Sequence, residues 1–366
     1  MIYFVVFLFE AAVCYFYDKK QMNNKRVFSI HDFKLRISFS KGFFSLAIIV
    51  PLLLVMGLRY NIGTDYRNYE DIFTLSVFYK KNIYGMEWAY YYLNRIAGSI
   101  SDNPQIIFFI VACIIIFFFY KGIEKNDGSM YYGVLAFIGM GYFFYAMNIQ
   151  RQYMAIMIML YGFYFLEKKN FKLFLICVVG AAGFHTSVII WIPVYFAVNY
   201  IPTKLFYVGS LGIAFLINRF AGDVLRILSS IGFYTNQIMM NTSFFSTRMS
   251  LSNVLLSSIF LLCGVIFYRK LKEKGQKINV RFKIIWLMFL IYALFYQFGD
   301  AATRIATYMC IMYFLIICDI VNCFDIHMQK FIRILVTAGF LMLMYIIITY
   351  TGNRTNAFLP YQYRLL

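Results

Sequence analysis

GLRYNIGTDYRNYEDIF, residues 57–73, breaks an otherwise apolar chain and decides how the rest is read. It follows an apolar run and gathers Arg59, Asp65, Arg67, Glu70 and Asp71 into one short segment. Gly57 and Gly63 leave the backbone free to turn. Thr64 and Asp65 each offer a side-chain oxygen to cap a following helix. Tyr66, Tyr69, Ile72 and Phe73 recur at helical spacing, which predicts an amphipathic helix along a membrane surface. The stretch reads as a polar reaction loop mounted on a membrane scaffold.

The scaffold follows from composition. Of 366 residues, 62% are hydrophobic and 21% aromatic, and apolar runs recur along the whole length, which excludes a soluble domain. Spans are predicted at about 2–17, 43–58, 105–120, 130–147, 152–166, 173–184, 186–199, 205–218, 251–268, 284–299, 303–321 and 334–350. The pair around His185 is short enough to form one long or broken helix instead. Ile2–Tyr17 has no basic residue before it and no small-residue cleavage site after it, so it reads as a retained helix rather than a signal peptide. The expected fold class is all-α: a single polytopic helical membrane domain over 1–366, with about a dozen spans.

The net charge of +18 suggests nucleic acid at first sight, but the bases are scattered between apolar segments. The positive-inside rule explains them better. Alternate segments holding Lys19–Lys41, Lys121–Lys125, Lys168–Lys172, Lys204, Arg269–Lys283 and Lys330–Arg333 carry 22 of the 34 Lys and Arg residues. These segments are expected in the cytoplasm, which puts both termini outside. Segments 59–104 and 219–250 then face outward and mix aromatic and polar residues as interfacial helices do. Seven cysteines without a Cys-x-x-Cys pair read as buried thiols, with no disulfide framework and no zinc site.

In this topology Arg59, Arg151, His185 and Arg304 lie near the outer boundary. Arginines there can simply snorkel, and Arg59 ends an outward-running helix where a cation complements the dipole. Arg151 and Arg304 differ. Each is predicted in the first turn of an inward-running helix, where the dipole disfavours a cation and an anionic ligand would satisfy guanidinium and helix N–H groups together. Asp300 caps that later helix or pairs with Arg304. His185, in Phe184-His185-Thr186-Ser187 after Gly180-Ala181-Ala182-Gly183, either bonds a neighbouring helix or contacts substrate and moves a proton. His31 and His327 map to the other side, so no histidine metal cluster is expected. Asp65 serves as an N-cap or a base, and Glu87, in Gly85-Met86-Glu87-Trp88, solvates its loop or takes part in chemistry. Glu10 lies within the first span and needs a partner or a polar cavity.

In order and spacing these segments resemble the EpsG-like branch of the Wzy-type polysaccharide polymerases. The resemblance rests on Leu58-Arg59 with Gly63-Thr64-Asp65-Tyr66 and Tyr69, then Glu87 and the aromatic run behind it. It continues through Arg151-Gln152, the Lys-rich turn at Glu167–Lys172, Phe184-His185-Thr186, Arg304 with Tyr308, and the tail Pro360-Tyr361. It implies a GT-C-like membrane glycosyltransferase in a bacterial plasma membrane. Such an enzyme joins polyprenyl-diphosphate-linked oligosaccharides on the outer face, with no cofactor. A chain-length regulator and a flippase are the implied protein partners. Arg59, Arg151 and Arg304 would bind the substrate diphosphate without a metal, and Asp65, Glu87 or His185 would be the base. A ligase using the same lipid-linked donor, or a lipid-linked oligosaccharide transporter, are the alternatives. A transporter predicts pseudo-symmetric halves and charges deep in spans.

Overall fold

The computed structural model describes residues 1–24, 31–82, 85–220, 223, 251–273, 275–295, 299–350 and 358–365. The apolar runs become helices because a backbone in hydrocarbon must satisfy its own hydrogen bonds. In chain order these are α1 (Ile2–Asn24), α2 (His31–Gly57), α3 (Tyr66–Val77), α4 (Trp88–Ile100), α5 (Gln105–Lys125) and α6 (Met130–Gly139). Then come α7 (Tyr142–Asn148), α8 (Gln150–Glu167), α9 (Phe171–Ala182), α10 (Trp191–Tyr200) and α11 (Thr203–Arg219). The last are α12 (Leu251–Ile266), α13 (Tyr268–Lys272), α14 (Gln276–Leu294), α15 (Gly299–Thr307), α16 (Ile311–Val321) and α17 (Ile326–Ile346). Among the described residues there is no strand, only an isolated antiparallel bridge between Arg59 and Tyr363.

The protein is thus a helical membrane protein. Helix lies within each predicted span, and among the described residues three helices are long and apolar enough to cross a membrane: Gln105–Lys125, Ala302–Val321 and Ile326–Tyr350. Met130–Gly139 with Tyr142–Asn148 makes a fourth if that bent pair is one span. Isoleucines and methionines such as Ile334 and Met342 leave α17 with an exposed apolar face suited to lipid.

Three expected boundaries change. The continuous span predicted over 130–147 is bent by 56° between α6 and α7. Gly141 causes the turn, at φ +84°, and a Cβ on Gly139 would come within 2.4 Å of the Phe340 Cβ on α17. The span predicted from 284 begins at Gln276, because the cations ahead of it are folded into the protein. Arg281 pairs with Glu167 (Nε to Oε1 2.9 Å), and Lys283 donates to the carbonyls of Val198 (3.0 Å) and Ile201 (2.8 Å) at the end of α10. An ammonium there complements the helix dipole. Finally, α15 is helical from Gly299, ahead of the predicted 303; Arg304 lies in its last turn and near the start of the span Ala302–Val321.

The chain forms two compact units, one of residues 1–165, 170–189 and 313–366 and the other of residues 166–169 and 190–312. In the first, α2 packs along α5, while α6 is covered by α1 and α17. In the second, α10, α11, α12 and α15 pack on α14. All seven cysteines are free thiols, with Cys14, Cys310 and Cys323 buried. Apart from residues 219, 220 and 223, the outward segment predicted over 219–250 lies outside the described residues.

Candidate functional site

The 57–73 stretch is held by its backbone. Gln105, at the start of α5, donates its side-chain amide to the carbonyls of Gly57 (2.7 Å) and Arg59 (3.1 Å). The C-terminal tail closes the other side: Tyr60 N–H donates to Gln362 O (2.9 Å) and Arg364 N–H to Leu58 O (2.9 Å). Tyr361, in the Pro360-Tyr361 ending, reaches Val55 O with its hydroxyl (3.2 Å). Gly63 is needed on two counts. Its φ is +92°, and a Cβ would fall 2.2 Å from Asn148 Oδ1.

The stretch then becomes α3, and Tyr66, Tyr69, Ile72 and Phe73 are its buried residues together with Ser76. The amphipathic face is therefore the predicted one, but it packs into protein, against α4 and α5, not into lipid. Tyr66 stacks on Phe108 (centroids 4.4 Å, planes 9° apart), an offset aromatic contact of about 0.5–1.5 kcal/mol. Asp65 stands at the N-cap of α3 but makes no side-chain capping bond, contrary to its predicted capping role. It lies close enough to Tyr69 to act on it electrostatically.

Four of the six residues singled out in the sequence belong to one connected network. Arg59 turns inward and is fully buried. Its guanidinium donates to Met56 O (2.8 Å), Met147 O (2.9 Å) and Gln150 Oε1 (3.2 Å), with Phe108 beneath it at 4.8 Å. Burial pulls its pKa down to about 10, so it stays charged at neutral pH. Gln150 passes the link on, donating to the Tyr90 hydroxyl at 2.6 Å. Beside it Arg151, in the first turn of α8 as predicted, donates to Glu87 Oε2 at 2.6 Å. A carboxylate of the protein itself thus stands at this cation, whose side chain stays part-exposed. The other Glu87 oxygen faces His185 Nδ1 (3.1 Å), Thr186 N–H (3.2 Å) and the Thr186 hydroxyl (3.5 Å).

Local sequence explains why Glu87 and His185 meet. Glu87 is the N-cap residue of α4, and the Gly183 carbonyl accepts from Ala89 N–H (3.0 Å) and Tyr90 N–H (3.3 Å), capping that helix from outside. A Cβ on Gly183 would sit 2.7 Å from Ala89 Cβ, so the small-residue run exists to let α9 reach α4. The chain breaks there, His185 follows two residues later, and a 3-10 turn starts at Thr186.

Burial by itself would raise the Glu87 pKa. The His185 hydrogen bond and the Arg151 charge outweigh it and hold the carboxyl down at about 2. Arg151 and His185 keep part of their side chains open, 30% and 20% exposed, against 12% for Glu87. The cluster is a fixed carboxylate between a cation and an imidazole, both reachable from outside. If Nδ1–H donates to Glu87, Nε2 is left as an acceptor, and such a carboxylate-oriented imidazole can take a proton.

Arg304 lies on α15, in the unit of residues 190–312, and is half-buried; Asp300, on the same helix, has no described side chain. Tyr69, Tyr90, Gln105, Gln150 and Thr186 are network members that sequence reasoning did not rank. Two buried glutamines beside conspicuous arginines and helix starts were the available signal. Among the described residues no three His, Cys, Asp or Glu side chains converge as metal ligands.

Neither a curated protein nor a solved structure matches the chain. The profile of the EpsG family matches residues 42–363, which take in the polar loop, Glu87, Arg151, His185, Arg304 and the docking tail, so the chain belongs to the EpsG family.

Proposed function

We propose that this protein is a polysaccharide polymerase that joins polyprenyl-diphosphate-linked oligosaccharide units on the outer face of the plasma membrane. The Glu87–His185 contact beside Arg151 carries the assignment. In the reaction a hydroxyl of the acceptor sugar attacks the anomeric carbon of the donor. A C–O glycosidic bond forms, the bond to the diphosphate oxygen breaks, and its electron pair leaves with polyprenyl diphosphate. The hydroxyl proton goes to His185 Nε2, and is released to water afterwards.

Glu87 orients the imidazole and stabilises the imidazolium that forms. A carboxyl with a pKa of about 2 is itself a poor base, which favours His185 over Glu87 for the proton. Asp65, with no role as a helix cap, is the second choice as base. Negative charge developing on the diphosphate needs cations, and Arg151 is assigned to it, with Arg304 a separate candidate for the same role. Arg59, enclosed and bonded to two carbonyls and Gln150, positions the start of α8 in place of the diphosphate contact first expected of it. Twelve spans, a GT-C-like architecture and termini on the outside complete the proposal.

Gene deletion tests the reaction class: a polymerase deletion leaves single repeat units at the surface, a ligase deletion leaves no attached glycan, and a transporter deletion traps the unit inside. Arg304→Ala is expected to abolish chain extension at normal abundance, and Arg304→Lys to rescue it only partly, since an ammonium lacks the bidentate fork. Full activity of the alanine variant would remove Arg304 from the site.

Metal dependence follows from the same assignment. The acids predicted outside are Asp65, Glu70, Asp71, Glu87, Asp102, Asp223 and Asp300, and only Glu70 and Asp71 adjoin. Neighbours on a helix point about 100° apart and chelate poorly, and Glu70 already pairs with Arg67 at 2.7 Å. Purified protein is therefore expected to extend lipid-linked repeats at nearly full rate in excess EDTA. Activity lost with EDTA and restored by Mg²⁺ or Mn²⁺ would overturn the arginine assignment.

Orientation is tested by single cysteines in a background without reactive native thiols. A cysteine at Asn353, which lies outside the described residues, should react with an impermeant thiol reagent from outside. One at Asn279 should not. Reversal of that pattern would put the Glu87 cluster on the cytoplasmic face.

A further inference from the structure

A cavity of about 920 Å³ opens within the second unit, where α12 ends, α13 lies across and α11 and α14 begin. It is near the top of the range of about 300–1,000 Å³ that small-molecule sites occupy. Leu261, Val265, Ile278, Phe282, Tyr207 and Trp286 form most of its wall. Two pairs of polar groups at the wall are turned on each other. Asn279 donates to the Thr203 hydroxyl (3.1 Å), and Trp286 Nε1 donates to the Ser210 hydroxyl (3.0 Å). The lining is consequently mainly apolar, which offers water few partners.

The rim has the opposite character. Lys272 lines the mouth with its ammonium 5.9 Å over the Tyr268 ring, and Lys204, Arg269, Lys270 and Lys277 lie beside lining residues in sequence. Glu273 is the one acid between Tyr268 and Lys283. Val265 and Tyr268 are 74% and 61% exposed, so the opening faces the surface that an apolar helix bundle presents to lipid. An aromatic and basic rim above an apolar hollow is the arrangement of a membrane interface. Basic residues also gather where the cytoplasmic leaflet carries its anionic lipids.

We propose that this cavity binds an anionic glycerophospholipid, with an acyl chain among Leu261, Phe282 and Trp286 and the headgroup phosphate at Lys272. Charge complementarity selects this occupant over a zwitterionic lipid, and the apolar wall selects a lipid over a free phosphate. The site does not depend on the polymerase assignment, since none of its residues belongs to the Glu87 network.

Trp286 reports occupancy directly. Purified full-length protein is reconstituted in phosphatidylcholine bilayers containing a rising fraction of dibrominated phosphatidylglycerol or dibrominated phosphatidylcholine. The Trp286 signal is the wild-type fluorescence less that of Trp286→Phe. Saturable quenching at a low fraction of the brominated phosphatidylglycerol is expected, with about fivefold more brominated phosphatidylcholine needed for the same effect. Lys272→Gln, read against the double variant Lys272→Gln, Trp286→Phe, should move the phosphatidylglycerol midpoint about fivefold toward that of phosphatidylcholine. Quenching that tracks bulk mole fraction equally for both lipids would mean ordinary annular contact and overturn the proposal. Relief of quenching by added polyprenyl phosphate at lower fractions than unbrominated phosphatidylglycerol would also overturn it, by assigning the cavity to a prenyl chain.

Discussion

His185→Ala is expected to lower chain extension by about a hundredfold or more, the usual contribution of a positioned base. Glu87→Gln is expected to lose nearly as much, for a different reason. Thr186 N–H and His185 share one Glu87 oxygen and Arg151 uses the other, so a glutamine turns its N–H₂ donor either toward Arg151 or toward His185 and Thr186 together. The imidazole then loses the carboxylate that orients it and offsets its charge. The pH dependence expected of Glu87 follows from its contacts. The folded Glu87 carboxyl is held down at about 2, below its ordinary range. Its stabilising contacts are therefore complete above the ordinary carboxylate pKa and are lost only as the pH falls through about 2. Loss of activity on mild acidification would therefore not come from protonating Glu87. Rates would be measured on purified protein with lipid-linked repeats across pH, with abundance and thermal unfolding as controls for folding. Activity of His185→Ala within threefold of wild type would sink the base assignment.

Gly63→Ala is expected to have the largest structural effect of any single methyl group added to the chain. The backbone φ of +92° costs an alanine about 1–3 kcal/mol. The new Cβ would also sit 2.2 Å from Asn148 Oδ1, so the buried Asn148 side chain must turn away or its segment must shift. Asn148 ends α7, two residues before Gln150 and three before Arg151, and the displacement is transmitted toward the site. A loss of several kcal/mol in unfolding free energy, with inactive protein, is the expected outcome. The double variant Gly63→Ala, Asn148→Ala divides the effect. It should recover the steric part and leave the φ penalty, a coupling between neighbours that share one space. Unfolding in detergent followed by tryptophan fluorescence gives both values. A Gly63→Ala protein as stable as wild type would show that neither the turn nor the Asn148 contact constrains the loop.

The candidate site was partly legible because its residues break the local pattern around them. Glu87, Arg151 and His185 are polar groups at the ends of apolar runs, where burial is costly without partners. Their chemistry could be proposed from type and position. Their partners could not, because Glu87 and His185 lie nearly a hundred residues apart and Glu87 and Arg151 more than sixty. Arg151 shows the consequence. Its place in the first turn of a helix correctly called for an anion, yet a carboxylate of the chain fills much of that need. Arg59 shows the reverse. A cation at a helix end near the boundary suggests a ligand or solvent, but folding closes Gln150, Phe108 and two carbonyls around it.

By itself the sequence determined the helical membrane character, the position of nearly every helix, the buried face of α3 and the turn at Gly63. These depend on local quantities: apolar run length, a period of 3.6 residues, and the conformational freedom of glycine. Only the tertiary structure decided where α6 and α7 bend, that α14 runs on through Lys283, and that the tail pairs with Leu58 and Tyr60. It alone placed Glu87 between Arg151 and His185. Each of those outcomes turns on which distant surfaces touch. A glycine admits a neighbouring helix, or a buried cation is tolerated, only once the partner that fills the space or accepts the hydrogen bond is there.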